Sequence, residues 1–152
     1  MKERLDGYKA SPDAYHAILG LQNYVNECGL EHSLLELVKI RASQINGCAY
    51  CLHMHTRDAR KAGESDERMH LLAAWRESPL FTERERAALA WTEALTLVSE
   101  TEAPDEVYEG LRPHFSEKEI VDLSTAIGTI NVWNRLAIGL RTIHPVSTKD
   151  AA

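Results

Sequence analysis

The chain has 152 residues, enough for one domain with a substantial core, and 44% of them are apolar, so no segment is disordered on composition alone. Its formal net charge of −6 argues against a nucleic-acid or anionic-membrane surface, both of which need clustered Lys and Arg. Met1-Lys2-Glu3-Arg4-Leu5-Asp6-Gly7 leads into no apolar signal stretch, and no apolar run has the length of a membrane span, so the expected address is cytoplasmic.

Helical periodicity runs through nearly every segment and predicts an all-α fold in a single domain over residues 1–152. The first helix is predicted to start at Pro12 with Ser11 as N-cap and to stop near Gly29. A second carries Leu34, Leu35, Val38, Ile40, Ala42 and Ile45 to Asn46-Gly47. A third runs from about Cys48 to Gly63, and a fourth from Glu67 to Arg76, ahead of Pro79. Thr82-Glu83-Arg84-Glu85 is a capping box opening a fifth helix through Val98, and Pro104 starts a short sixth. Ser116-Glu117-Lys118-Glu119 is a second such box. It opens a long last helix continuing to Ile143, with Gly128 and Gly139 as weak points and Pro145 as its end. That helix is apolar on more than one face, which fits either a central core helix or a face covered by another subunit. The first few residues and the tail from Ser147 are expected to be loose.

Three cysteines are present, and only Cys48 and Cys51 are close in sequence. In the reducing cytoplasm such a pair points to redox, catalytic or metal chemistry rather than to a staple. On a helix, Cys48, Cys51 and His55 fall at i, i+3 and i+7, within roughly 60° of one another. His53 points elsewhere. A thiol at a helix start meets unpaired backbone N–H groups and the positive end of the helix dipole, and both favour thiolate. An imidazole one turn on can take a thiol proton, and a second thiol can close a disulfide on an oxidised sulfur. By this spacing Cys51, with His55 on its face, is expected to ionise, and Cys48 to meet a partner or resolve a sulfenic acid.

A zinc module is the competing reading, because C-x-x-C-x-x-x-H offers three ligands that Cys28 or Glu36 might complete. A pair of inert buried thiols is another, and Cys28 itself is read as inert. A thioredoxin fold is excluded by the lack of βαβ pattern around the cysteines. Glu36 sits in the apolar run Leu34-Leu35-Glu36-Leu37-Val38. It either completes a capping box with Ser33 or packs across the helix pair onto His55. Lys39 and Arg41 are assigned to the surface or to ion pairs, and Tyr50 to packing.

The stretch from Leu34 to His55, with Asp58-Ala59-Arg60-Lys61-Ala62-Gly63, Ala90-Trp91-Thr92-Glu93-Ala94 and Asn131-Val132-Trp133-Asn134-Arg135-Leu136-Ala137, resembles the alkyl hydroperoxidase D-like branch of the carboxymuconolactone decarboxylase superfamily. That branch has a Glu twelve residues before C-x-x-C and a His four residues after it, which Glu36, Cys48, Cys51 and His55 match. The resemblance implies a catalytic set of Cys51, Cys48, His55 and Glu36, with Glu36 in a proton relay. It also implies an all-helical fold, no metal or organic cofactor, and a homo-trimer or hexamer. The implied activity is a thiol-dependent peroxidase acting on hydroperoxides, reduced by a lipoyl- or thioredoxin-like dithiol partner. The alternative is a thiol–disulfide electron-transfer protein serving a separate peroxidase. One departure is Tyr50, where well-known members have a further His. The true decarboxylase branch lacks the C-x-x-C.

Overall fold

The computed structural model describes residues 1–146, and the tail expectation from Ser147 onward lies outside them. Among the described residues the chain is helical throughout, with no strand. The elements are α1 (Gly7–Ala10), α2 (Pro12–Glu27), α3 (His32–Asn46), α4 (Ala49–Lys61), α5 (Asp66–Leu71), a 3₁₀ segment (Leu72–Glu77), α6 (Glu83–Thr96), α7 (Val98–Thr101), α8 (Asp105–Glu109) and α9 (Glu117–Leu140). No helix is long and apolar enough to cross a membrane.

Local signals fix most helix starts. Thr82 and Ser116 each form a complete capping box, accepting from the N–H of Glu85 and Glu119 while those carboxylates reach back. Ser11, by contrast, makes no side-chain cap bond, and Pro12 alone marks the start of α2. The fourth predicted helix is split: α5 is capped by Ser65, and Ala74 leaves helical geometry inside the 3₁₀ segment.

The N-terminal residues are tied down rather than loose. The last carbonyls of a helix have no partner within it. Here Arg4 supplies them, its backbone N–H donating to the Leu140 carbonyl at 2.9 Å and its guanidinium to that of Gly139 at 2.9 Å. Gly7 lies so close to α2 and α9 that a Cβ would meet Tyr15 Oη at 2.4 Å and Leu140 Cδ1 at 2.6 Å. The last helix ends at Leu140, short of the predicted Ile143, because Arg141 turns left-handed at φ 56°. Gly128 and Gly139 do not interrupt it.

The central helix is α3, which packs against α4, α6 and α9. Leu34, Leu35, Leu37, Val38 and Ile40 are all buried, so apolar contact surrounds it. One core lies between α2, α3, α6 and α9 around Leu35, Val38, Leu123 and Ile127. A second lies between α3, α4, α5 and α6 around Leu37, Ile40, Leu72 and Leu89. The last helix α9 buries Ile120, Leu123, Ile127 and Ile130 but leaves Val121, Val132 and Ile138 exposed. α3 is thereby held rigidly where it meets α4 and α9, at the cysteines.

The two serine caps separate a formed motif from an unformed one. Ser116→Ala should cost about 1 kcal/mol in urea unfolding, the usual worth of an N-cap bond. Ser11→Ala should change stability by less than about 0.5 kcal/mol, as for a surface substitution. Equal losses at both positions would contradict the cap assignments.

Candidate active site

The cysteines are placed by the turn between α3 and α4. Gly47 ends α3 at φ 70°, a left-handed conformation that glycine enters without a Cβ clash. The Cys48 N–H then bonds back to the Ser43 carbonyl at 3.0 Å. Cys48 is the N-cap residue of α4, with extended backbone, at the end of the helix where N–H groups lack intrahelical partners; its side chain makes no cap hydrogen bond. Cys51 sits one turn further. Both thiols are 1% exposed, in a cluster with Ala42 and Ile130 that Tyr50, Trp133 and Ala137 cover.

The two thiols lie side by side in this cluster, so the ionisation of one bears on the other. The Cys51 thiol donates to Cys48, and although burial opposes ionisation, the N–H groups of Cys51 and Tyr50 and the Asn134 side chain add support. Together they pull Cys48 down to about 7. Cys51 is pushed up, because it is the donor in that bond, is desolvated and lies beside the Cys48 charge. The local electrostatics thus favour an anion on Cys48, whereas the His55 spacing favours one on Cys51. Nor is Cys48 the more open thiol, since both are equally buried.

Glu36 faces inward. α3 begins at His32, before Ser33, and its N-cap is Glu31 without a side-chain bond, so the Ser33–Glu36 capping box does not form. Instead Glu36 Oε2 lies 2.9 Å from His55 Nδ1, and Glu36 Oε1 accepts from Lys39 Nζ at 2.9 Å. His32, mostly exposed, stands 3.9 Å from the same carboxylate. Burial raises the Glu36 pKa, but the bonds to His55 and Lys39 outweigh it and hold the carboxyl below its ordinary value. Facing a carboxylate, His55 Nδ1 carries the proton as donor, which leaves Nε2 as the acceptor. Lys39 is ion-paired but buried, with 5% of its side chain exposed, rather than at the surface. Arg41 is committed elsewhere, donating to Glu93 Oε1 at 2.8 Å; Glu93 also receives Trp75 and Arg76.

Sequence reasoning missed the polar floor beneath the thiols. Asn134 of α9 is 0% exposed; its Oδ1 accepts from Asn46 Nδ2 at 2.8 Å and its Nδ2 donates to Ser43 Oγ at 3.0 Å. Asn46 Nδ2 also donates to Asn131 Oδ1 at 2.9 Å. The signal was available as two asparagines three residues apart in an apolar helix. His53 points away from the thiols, as its angle on the helix predicts. It stacks on His144 at 4.7 Å and helps line a cavity of about 210 Å³ with Tyr50, Met54, Arg57 and Pro145. Cys28 is half-buried at the end of α2, outside the cluster. Among the described residues no group of three His, Cys, Asp or Glu side chains is arranged to hold a metal ion.

The sequence pattern of the carboxymuconolactone decarboxylase family matches residues 12–94, a stretch that includes Glu36, both cysteines and His55. The chain belongs to this family. A crystal structure of an Agrobacterium tumefaciens protein of unknown function, described as a candidate AhpD antioxidant-defence protein, is 51% identical with a TM-score of 0.94. The match covers 96% of this chain and 100% of that one. The combined likeness places the chain in the AhpD-like branch of the family. The uncharacterized protein YdfG of Bacillus subtilis is 39% identical over 140 residues, 92% of this chain and 95% of that protein. The debrominase Bmp8 shares the fold, with a TM-score of 0.81 over 91% of this chain and 74% of its own, at 21% identity.

Removing one member of the buried pair leaves the other uncompensated. Glu36→Gln should cost about 3–5 kcal/mol in urea unfolding at pH 7, and Glu36→Gln with Lys39→Met should recover most of it. Because the folded pKa of Glu36 is depressed, its contribution is complete above the ordinary value of 4.5 and is lost as pH falls through the folded value. The acid limb of stability should flatten in Glu36→Gln. An equal loss in the double variant would contradict the pairing.

Proposed function

We propose that the protein is a thiol-dependent peroxidase that reduces small hydroperoxides through a Cys48–Cys51 dithiol/disulfide cycle with a His55–Glu36 proton relay. The observation that carries this reading is the buried Cys48–Cys51 pair on the same helix face as His55, whose ring is fixed by a buried carboxylate. The family and the AhpD-like neighbour support peroxide-related chemistry in general terms.

In the proposed cycle His55 Nε2 takes the Cys51 proton, with Glu36 steadying the imidazolium at Nδ1. Cys51 lies four residues before His55, adjacent on the helix face. Once ionised it is the more basic and hence the more nucleophilic sulfur. It attacks the O–O bond and becomes a sulfenic acid, while the departing oxygen takes the His55 proton as alcohol. The Cys48 thiolate attacks the sulfenic sulfur, the departing hydroxide takes from solvent the proton that Cys48 had released on ionising and leaves as water, and the disulfide forms. The sum is ROOH plus two thiols giving ROH, water and a disulfide. Two electrons from a dithiol donor, of lipoyl or thioredoxin type, reopen it. Homo-trimer or hexamer assembly in the cytoplasm belongs to the same proposal.

Peroxide turnover with a panel of dithiol donors is the direct test. Cys48→Ser should trap a sulfenic acid at Cys51 and stop, and Cys51→Ser should not form one. His55→Gln should slow peroxide attack by about 10²-fold near pH 7, in the range of a positioned general base, and less at alkaline pH. Because both sulfurs are 1% exposed, hydrogen peroxide and short alkyl hydroperoxides should react faster than bulky ones. Rapid thiol–disulfide exchange without peroxide consumption would instead assign the chain to electron transfer. A sulfenic acid trapped at Cys48 in Cys51→Ser would reverse the roles of the thiols.

A further inference from the structure

We propose that the cavity beside α4 binds the non-reacting end of the substrate, that it takes a hydroperoxide carrying a carboxylate, and that the Tyr50 side chain is the wall such a substrate displaces to reach the thiols. The proposal deepens the peroxidase reading and rests on it. Tyr50, Met54, Arg57 and Lys61 follow one another at i, i+4, i+7 and i+11, a stripe beside the one that carries Cys48, Cys51 and His55. They line a cavity of about 210 Å³, with Pro145 contributed by the chain after α9. The stack of His53 on His144 at 4.7 Å holds that chain against α4. Among the lining residues Tyr50 alone also packs on the thiol cluster. Its side chain therefore stands between the cavity and the buried sulfurs.

Size and charge select the ligand. The cavity is smaller than the roughly 300–1,000 Å³ of sites for drug-sized molecules, so it suits a short chain lying along Tyr50, Met54 and Pro145. The protein as a whole carries a net charge of −6, yet two cations, Arg57 and Lys61, line this one cavity. The carboxylate in the lining, Asp58, is engaged by Lys61 at 3.4 Å. Arg57 reaches the ring of His53 at 3.5 Å and makes no ion pair among the described residues. Its guanidinium is thus available to hold a carboxylate through two parallel hydrogen bonds. Both thiols are 1% exposed, so no reagent meets them until a side chain moves. Tyr50 is half-buried and can swing without opening either large core.

The test needs reduced thiols and no peroxide. Iodoacetamide and iodoacetate are close in size and differ in charge. The ratio of their alkylation rates, referred to free cysteine, therefore reads the charge along the way in. The full chain is alkylated at pH 9, well above the Cys48 value of about 7, so that a change in ionisation does not pass for a change in access. Tyr50→Ala should speed both reagents several-fold, and Tyr50→Phe should stay near wild type. Arg57→Gln should lower the iodoacetate-to-iodoacetamide ratio about threefold at low salt. That effect should fade in 1 M salt, where the Debye length is about 3 Å. Arg60→Gln is the control, the same charge change on the same helix, because Arg60 pairs with Asp66 and lies outside the cavity. It should leave the ratio in place.

A second measurement uses wild-type protein and so does not depend on the variants folding. Hexanoate should slow iodoacetamide alkylation saturably and move the Tyr50 and His53 ring resonances in NMR spectra, while hexanol at the same concentration does neither. Alkylation no faster in Tyr50→Ala would overturn the wall. A ratio that holds in Arg57→Gln or falls equally in Arg60→Gln, or hexanoate that protects no better than hexanol, would overturn the carboxylate site. If the expected results appear in a protein that consumes no peroxide, the peroxidase reading falls and the carboxylate site stands. Peroxide turnover that shows no preference for a carboxylate-bearing hydroperoxide over its methyl ester would leave the peroxidase reading in place and remove the site.

Discussion

Glu36 lies in the middle of the central helix with 3% of its surface exposed, and a carboxylate there must be compensated. An unpaired buried charge costs several kcal/mol, more than a fair share of a small domain's whole stability. Lys39, one turn along the same helix, supplies the positive charge, and His55 supplies the second hydrogen bond from α4. That second bond fixes the rotation of α4 about its axis. With His55 turned toward α3, Cys51 and Cys48 on the same stripe turn inward too, against Ala42 and Ile130. The burial of the thiols is thus a consequence of how the carboxylate is satisfied.

The site then has two ends with different electrostatics. At one end a full negative charge is matched by a lysine and an imidazole. At the other, two buried thiols lie against Ala42 and Ile130 at the start of α4, where the surroundings favour an anion on Cys48. His55, on the same stripe of α4 as the thiols, is the residue that carries the proton in the proposed cycle. The fold itself does not specify this chemistry. A debrominase shares it at 21% identity, so the reaction belongs to the side chains rather than to the helical frame.

Much of this was legible in the sequence. The capping boxes at Thr82 and Ser116 form as read, and the spacing of Cys48, Cys51 and His55 gives one inward stripe, because both are local features governed by helix geometry. What failed depended on distant contacts. The Ser33–Glu36 motif had the right residues, but the helix begins two residues early and the carboxylate finds better partners inside. Arg4 looked like part of a loose terminus, yet the unpaired carbonyls of α9 needed it. Lys39 was assigned to the surface or to an ion pair; it is in an ion pair, and its burial follows from that of Glu36. Residue spacing locates an imidazole near Cys51 but does not weigh it against the groups around Cys48. Asn134 carries no local signal of its partners, because Asn46 and Ser43 come to it from α3, distant in sequence.

The account turns on a single anion in the reduced site, resting on Cys48 while Cys51 keeps its proton. Reduced protein labelled with ¹³C at cysteine Cβ, titrated by NMR and resolved for each residue, reports this directly. The account predicts that the Cys48 Cβ resonance moves with a midpoint of about 7 and that the Cys51 resonance moves only at strongly alkaline pH. A Cys51 resonance that titrates first, or two cysteines that titrate together near the ordinary thiol value, would contradict it.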